Sequence, residues 1–411
     1  MAVAATGGLA AGCASPDSGI QPGEHVTVYV SMPLRGPEAA NGHDVVDGAK
    51  LALSDSGGRA GKLRVRAVYL DDTLAEGGGV RWSGAAAAAN ARRAAEDSTA
   101  IAFVGDFDSG ASRFSLPVTN GARVLQVSPA SAAVDLAQPF LGGGGQLPED
   151  VQPTGERTFG RVIPSDEVQA QAGAVWAKRL GARQAIVASD RSSFGQLMRA
   201  AFDESARTLG MRAEGGGLGG LFARPATRDR DVSCPTQLTH PATTDLIYSA
   251  GATPPAGLTG ACAGAVRPRL GVMASDALLR QDALATLGAS PTHPLRITSA
   301  AQDPSQLPAS GQRFVQAFRG RYGRRTGRYG AYGYEAMAVV LDSIRRAGDS
   351  GDDRDSVVDA FFDTRDRESV LGTYSIDEVG NTTLGRLSGY RLERQQAKVV
   401  AGLEVSAEGG P

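Results

Sequence analysis

The stretch HVTVYVSMPLRGPEAANGHDVVDGAKLALSDSGG (25–58) decides the fold. Its segment VTVYVSM (26–32) is a run of β-branched and apolar residues, which reads as a buried strand. GPEAANGHD (36–44) follows as a loop. VVDGAKLALSDSGG (45–58) then reads as a helix closed by glycines. Strand, short loop and helix together open an α/β unit.

The same alternation continues along the chain. LRVRAVYLDD (63–72), AIAFVGDFDS (100–109) and RVLQVSPAS (123–131) read as strands, with an Ala-rich helix at 84–96. A Gly/Pro-rich interruption spans 138–157, and the alternation then restarts. EVQAQAGAVWAKRLG (167–181) is a helix, AIVASD (185–190) a strand, and 194–210 an amphipathic helix with a Gly stop. Strands follow at 243–251 and 268–276, and helices at 313–323 and 334–348. A β-hairpin at 370–383 leads to a terminal strand pair at 387–402. Two α/β units are therefore expected, each a parallel sheet with helices on both faces. Ligands of such sheets sit beyond the carboxyl ends of the strands. That singles out the loops 105–112, 128–133, 190–195, 249–254 and 274–277.

Composition agrees with two lobes and excludes several functions. A chain of 411 residues is long for one core. Its 42% hydrophobic and 21% charged residues are those of an ordinary soluble protein. A formal charge of −2, with no basic run interleaved with aromatics, argues against a nucleic-acid partner. No apolar run is long enough for a membrane-spanning helix.

Three cysteines carry information. Cys13 lies in LAAGCASPDSG (9–19), small apolar residues before a Cys and a polar run after it, and 14–24 reads as a tether. This resembles a bacterial lipoprotein cleavage site, whose Cys becomes the lipidated first residue. Ala10 stands where a large residue is usual, and no Lys or Arg precedes the Cys. The other reading is an Ala/Gly leader with an incidental thiol. Cys234 and Cys262 form an even pair, which in an exported protein favours a disulfide; two buried free thiols is the alternative.

Motifs of chemistry are few. GGGLGG (215–220) fits a dinucleotide fingerprint in letters, but no strand leads into it and Arg224–Pro225 follows where a helix should. GRAGKL (58–63) has Leu63 where a phosphate loop needs Ser or Thr. The four histidines, His25, His43, His240 and His293, lack metal-ligand spacing. No cofactor and no metal is expected. Asp106 and Asp108 stand two apart, so on one strand they share a face, as an acid–base pair requires. Such residues at a strand end more often cap a helix or line a pocket.

Several of these segments together resemble the leucine/isoleucine/valine-binding family of solute receptors. They are VYVSMPLRGPEAANGHDVVDGAKLAL (28–53), YLDD (69–72), VGDFDSGASRFSLP (104–117) and LQVSPASAAVDL (125–136). GRVIPSDEVQAQA (160–172), SDRSSFG (189–195), YGYEAMAVVLDSIRRAG (332–348) and VLGTYSIDEVG (370–380) continue the match, which covers about 25–400. The resemblance implies a type I periplasmic binding fold: two doubly wound parallel-sheet lobes joined by three crossovers, near 158–163, 294–300 and 370–376. Lobe one is then 25–157 plus 295–369, lobe two 158–294 plus 370–405, with a leader at 1–24 and a tail at 406–411.

The resemblance also implies a site. The serine that holds a ligand carboxylate matches Ser109. A backbone-plus-hydroxyl pair falls on Ala130 and Ala132, with Ser131 standing in for a missing threonine hydroxyl. A covering aromatic matches Phe194, and an acid for the ligand ammonium matches Asp276. Asn41 and Ala252 replace two aromatics, and Asp108 sits where the family often has an uncharged residue. Ser109, Ser131 and Asp276 also read as helix caps, and Phe194 as core. The implied function is a non-enzymatic, monomeric, extracytoplasmic receptor, lipid-anchored at Cys13. It captures an amino acid or similar polar solute by hinge closure and delivers it to an ABC permease. The alternatives are a ligand-sensing domain for a signalling partner and an enzyme working through carboxylates.

Overall fold

The computed structural model describes residues 25–76, 79–139, 147–190, 192–214, 244–252, 269–280, 294–393 and 396–405. Cys13, Cys234, Cys262, the GGGLGG loop, His240, His293, the leader and the tail lie outside them.

The opening strand β1, His25–Met32, is buried along almost its whole length, as the sequence requires of a strand covered on both faces. It lies at the centre of a six-stranded sheet. Its companions are β2 (Arg59–Ala60), β3 (Leu63–Asp71), β6 (Ala100–Val104), β7 (Leu125–Ser128) and β8 (Phe159–Arg161), in the order β2-β3-β1-β6-β7-β8. All neighbours are parallel except the edge pair β2–β3. A small antiparallel pair, β4 (Thr73–Glu76) and β5 (Gly79–Trp82), stands beside it. The helices α1 (Ala39–Asp55), α2 (Gly84–Glu96), α3 (Ser109–Gly121) and the short α4 (Pro148–Val151) accompany this lobe.

The second sheet contains β9 (Gln184–Ser189), β10 (Arg212–Glu214), β11 (Leu246–Ala250), β12 (Val272–Ser275) and β13 (Leu295–Ser299). After the separate hairpin β14 (Arg367–Ser369) and β15 (Gly372–Tyr374) it is completed by β16 (Arg386–Glu393) and β17 (Gln396–Glu404). The order is β10-β9-β11-β12-β13-β16-β17. The first five strands run parallel and the last two antiparallel. Helices α5 (Asp166–Arg179) and α6 (Ser193–Thr208) accompany it.

Sheet membership shifts the expected lobe boundaries. β8 hydrogen-bonds to β7, so the first passage between the lobes follows Arg161 rather than starting at 158. β13 pairs with β12 and β16, so residues 295–299 belong to the second sheet and not to lobe one. The third return comes later than 370–376. Arg367 pairs with Glu335 at 2.7 Å, and the Arg161 amide donates to the Gly380 carbonyl at 2.9 Å. Those contacts hold the hairpin on the first lobe, and the chain rejoins the second sheet only at Arg386.

Two contacts set up the interlobe face. Helix Gly330–Arg346 lies so close to α1 that a Cβ on Gly48 would fall 2.0 Å from the Gly330 carbonyl oxygen, and one on Gly333 would fall 2.2 Å from that of Val45. Only glycine permits that approach, and it brings Arg328 and Tyr329 beside the start of α1. Arg161, 1% exposed, knots the passage segments together. Its Nε donates to Asn381 at 2.8 Å, and its Nη1 donates to the Ala133 and Ser131 carbonyls at 2.7 and 3.3 Å.

Candidate ligand cleft between the lobes

A cavity of about 630 Å³ opens between the two sheets. Its walls are the loops at the carboxyl ends of β6, β7, β9, β11 and β12, with the starts of α1, α3, α5 and α6. Asn41, Asp108, Ser109, Ala130, Ala132 and Phe194 line it, as do Ala252 and Asp276. Thus eight of the residues singled out in sequence converge on one space from both lobes.

Ser131 does not join them. It is fully buried, its Oγ donating to the Asp106 carbonyl at 2.9 Å and sharing a 2.8 Å bond with Ser112 Oγ. It braces the loop instead of supplying the missing hydroxyl. The expected Asp106–Asp108 pair also dissolves. β6 ends at Val104, so the two do not share a strand face. Asp106 is buried and accepts a bond from Ser115 Oγ. Asp108 is the N-cap of α3, accepting the Gly110 amide at 2.7 Å. The cap role considered for Ser109 therefore falls to Asp108. Ser109 Oγ accepts the Ala133 amide at 3.1 Å, which leaves its hydroxyl proton to donate.

Around Ser109 the first lobe is firmly set. Arg113 donates to both oxygens of Asp135 at 2.6 and 2.7 Å and to the Ser109 carbonyl at 3.1 Å. The start of α3 presents backbone N–H groups and the positive end of the helix dipole. The second lobe supplies Phe194 in the first turn of α6, and Asp276. Asp276 caps no helix of its own. Gln169 donates to its Oδ1 at 3.0 Å, Ser299 to its Oδ2 at 2.8 Å, and Arg328 stands 4.0 Å away. Ala252 is fixed through its amide to Asp190 at 2.9 Å. Asn41 donates to Glu38 at 2.8 Å rather than standing free.

Sequence reasoning missed Glu38, Arg113, Asp166, Arg280, Arg328 and Tyr329, all of which line the cavity. Glu38 and Arg280 face each other across the cleft at 3.6 Å. Arg328 lies over the rings of Tyr329 and Tyr390, 5.4 and 5.9 Å from their centroids. GRYGAYG (327–333) carries its own signal, a cation and aromatics at a helix start. Asp166 opens α5 one residue after its N-cap, Ser165. Burial pushes its carboxyl up to about 7; Arg161 and Arg113 oppose the shift, while Asp276 and Asp135 add to it. Burial likewise raises Asp108, against Gly110, Arg280 and Arg113.

A sequence model of the periplasmic binding protein family matches residues 25–396. The chain belongs to the periplasmic binding protein family. A curated relative, the Leu/Ile/Val-binding protein BraC3 of Rhizobium johnstonii, is 25% identical over 385 residues, 92% of this chain and 93% of the relative. Among solved structures, the leucine binding protein LivK of Thermotoga maritima superposes with a TM-score of 0.65 at 23% identity, over 92% of this chain and 99% of that one. An ABC transporter substrate-binding protein of Desulfitobacterium hafniense in complex with Leu gives 0.67 at 20% identity, over 92% and 100%. These likenesses match the two-lobed fold expected from sequence.

Proposed function

We propose that this chain is an extracytoplasmic solute-binding protein that captures an amino acid or similar small polar solute between its lobes and delivers it to an ABC importer. The observation that carries the reading is the cleft itself: one cavity walled by strand-end loops of both sheets, with a free hydroxyl proton at a helix start. A ligand carboxylate fits Ser109 and the N–H groups of α3. The Ala130 carbonyl and Asp276 face an ammonium, and Phe194 covers the ligand from the second lobe. Contacts made only when both lobes touch the solute favour the closed state. No reaction is part of this role.

Asn41 and Ala252 leave room where aromatic walls would narrow the cleft, so branched aliphatic amino acids are not the best ligands. The names of the relatives support amino-acid capture as the class. A lipid on Cys13 holds the monomer to the outer face of the membrane, within reach of the permease. Calorimetric titration with the natural amino acids tests the reading. Saturable binding of at least one, with larger or polar side chains preferred, is expected. Tight leucine or valine binding without that preference overturns the ligand assignment, and no binding by any amino acid overturns the class.

A further inference from the structure

The charges that line the cleft do not cancel, and the imbalance has a sign. Arg113 is spent on Asp135. Arg280 faces Glu38, and Arg328 faces Asp276. No arginine lining the cavity is left over among the described residues, but two carboxylates are. One, Asp108, is held by the Gly110 amide at the start of α3. The other, Asp166, is 7% exposed, lines the cavity, accepts no hydrogen bond on its side chain and lies within 4 Å of no cation among the described residues. Its oxygens face the water of the cavity, and a solute that displaces that water without offering a partner leaves a buried carboxylate at a cost of several kcal/mol. Folded proteins keep such a group where a ligand or a proton completes it.

We infer that the cleft selects a solute of net positive charge, an amino acid or amine carrying a second cationic group, and that Asp166 receives that group. The inference rests on the solute-binding reading and sharpens it. The α-carboxylate and α-ammonium of a neutral amino acid are met at Ser109, Ala130 and Asp276. They leave Asp166 unpaired, whereas a lysine or arginine side chain brings the missing charge. A dicarboxylate such as glutamate adds a third carboxylate to a face that already has one too many. The groups facing Asp166 are Arg161 from β8, Arg113 from α3, Asp276 beyond β12 and Asp135 beyond β7. Of the two arginines, Arg113 is bonded to Asp135, and Arg161 does not line the cavity: it bonds only the neutral Asn381, Ala133 and Ser131 acceptors and offsets the Asp166 charge in part, from more than 4 Å away.

Cation binding needs the ionised carboxylate, so it weakens as pH falls through the value near 7 to which burial raises Asp166. Neutral solutes gain no such dependence from this residue.

The test is a calorimetric panel of lysine, arginine, leucine, serine and glutamate with the full chain and with Asp166→Asn, at pH 7.5 and 5.5. Lysine or arginine is expected to bind at least about ten-fold more tightly than leucine, serine or glutamate in the parent at pH 7.5. Asp166→Asn is expected to lose about 10–100-fold for that basic amino acid, the usual range for a hydrogen bond to a charged group, a loss larger than any change it makes for leucine or serine. In the parent the basic ligand loses about ten-fold or more on going to pH 5.5, and the variant does not. A neutral or acidic amino acid binding as tightly as the basic ones overturns the inference and leaves the amino-acid reading intact. A basic preference that survives Asp166→Asn unchanged overturns the assignment to Asp166. If no amino acid binds, the amino-acid reading fails and this inference with it. Circular dichroism of the variant separates lost binding from lost folding.

Discussion

Replacing Arg161 by Met tests how the passage between the lobes is built. The guanidinium is fully buried and makes one 2.8 Å bond to Asn381 and two bonds, at 2.7 and 3.3 Å, to the Ala133 and Ser131 carbonyls. Two opposing contributions decide the outcome. Each bond from a charged donor is worth about 1.5–3 kcal/mol, and its loss strands a buried acceptor. Against this, the charge itself is costly to bury: its Nη2 has no partner and burial pulls its pKa down to about 10. Two strong bonds and one long one give a gross loss of about 4–6 kcal/mol, and relief of the desolvated charge returns about half. A net loss of about 2–3 kcal/mol is expected for Arg161→Met, read from the shift of the urea midpoint at constant m. Because Arg161 also holds the loop carrying Ala132, the variant is expected to bind solute more weakly than Asn381→Ala, which loses only one of the three bonds. A variant as stable as the parent would refute the reasoning, since the burial cost would then offset all three bonds.

Further outcomes follow from the same structure. Burial and the neighbouring Asp106 push Asp72 up to about 8, and neither of its oxygens has a partner. The folded state thus holds a proton that the unfolded chain releases near pH 4, so this residue makes stability fall as pH rises from about 4 to about 8. Urea midpoints at pH 5 and 8 should differ more for the parent than for Asp72→Asn, and equal differences would count against it. Across the cleft, Arg280→Glu places two like charges where Glu38 and Arg280 stand 3.6 Å apart. It should weaken solute binding by about 0.5–1 kcal/mol, as for a partly exposed pair, and Glu38→Arg in the same chain should recover the loss.

Much of the fold was legible because parallel strands covered on both faces leave apolar runs that no other element writes. VTVYVSM and AIVASD were read within a residue or two of β1 and β9. Helix α3 was expected only as a helix that Ser109 would cap and was given no bounds, because Ser, Gly and the internal Pro117 hide its apolar spacing. The hairpin of β4 and β5 was missed as well, its four-residue strands being too short to show a period. Lobe boundaries were misjudged at 295 because a strand's sheet is chosen by partners far away in sequence, here β12 and β16.

The site divides in the same way. Positions at strand ends were found from topology, and Ser109, Phe194 and Asp276 reached the cleft. Which way a side chain turns was not written locally: Ser131 points inward because Asp106 and Ser112 offer it bonds. The charges of Arg280, Arg328 and Asp166 acquire meaning only once the lobes face each other. Asp166 lies inside a quoted segment, yet nothing in the sequence says that it lacks a partner.

The central claim is that a small solute binds in this cleft and is held by both lobes. Thermal unfolding with increasing amounts of each natural amino acid, run on the parent and on Ser109→Ala, tests it most directly. The account predicts a saturable rise in melting temperature for at least one amino acid, as binding to the folded state requires. It also predicts that Ser109→Ala needs several-fold more of that ligand for the same rise. No rise with any amino acid, or an identical titration in the variant, would contradict it.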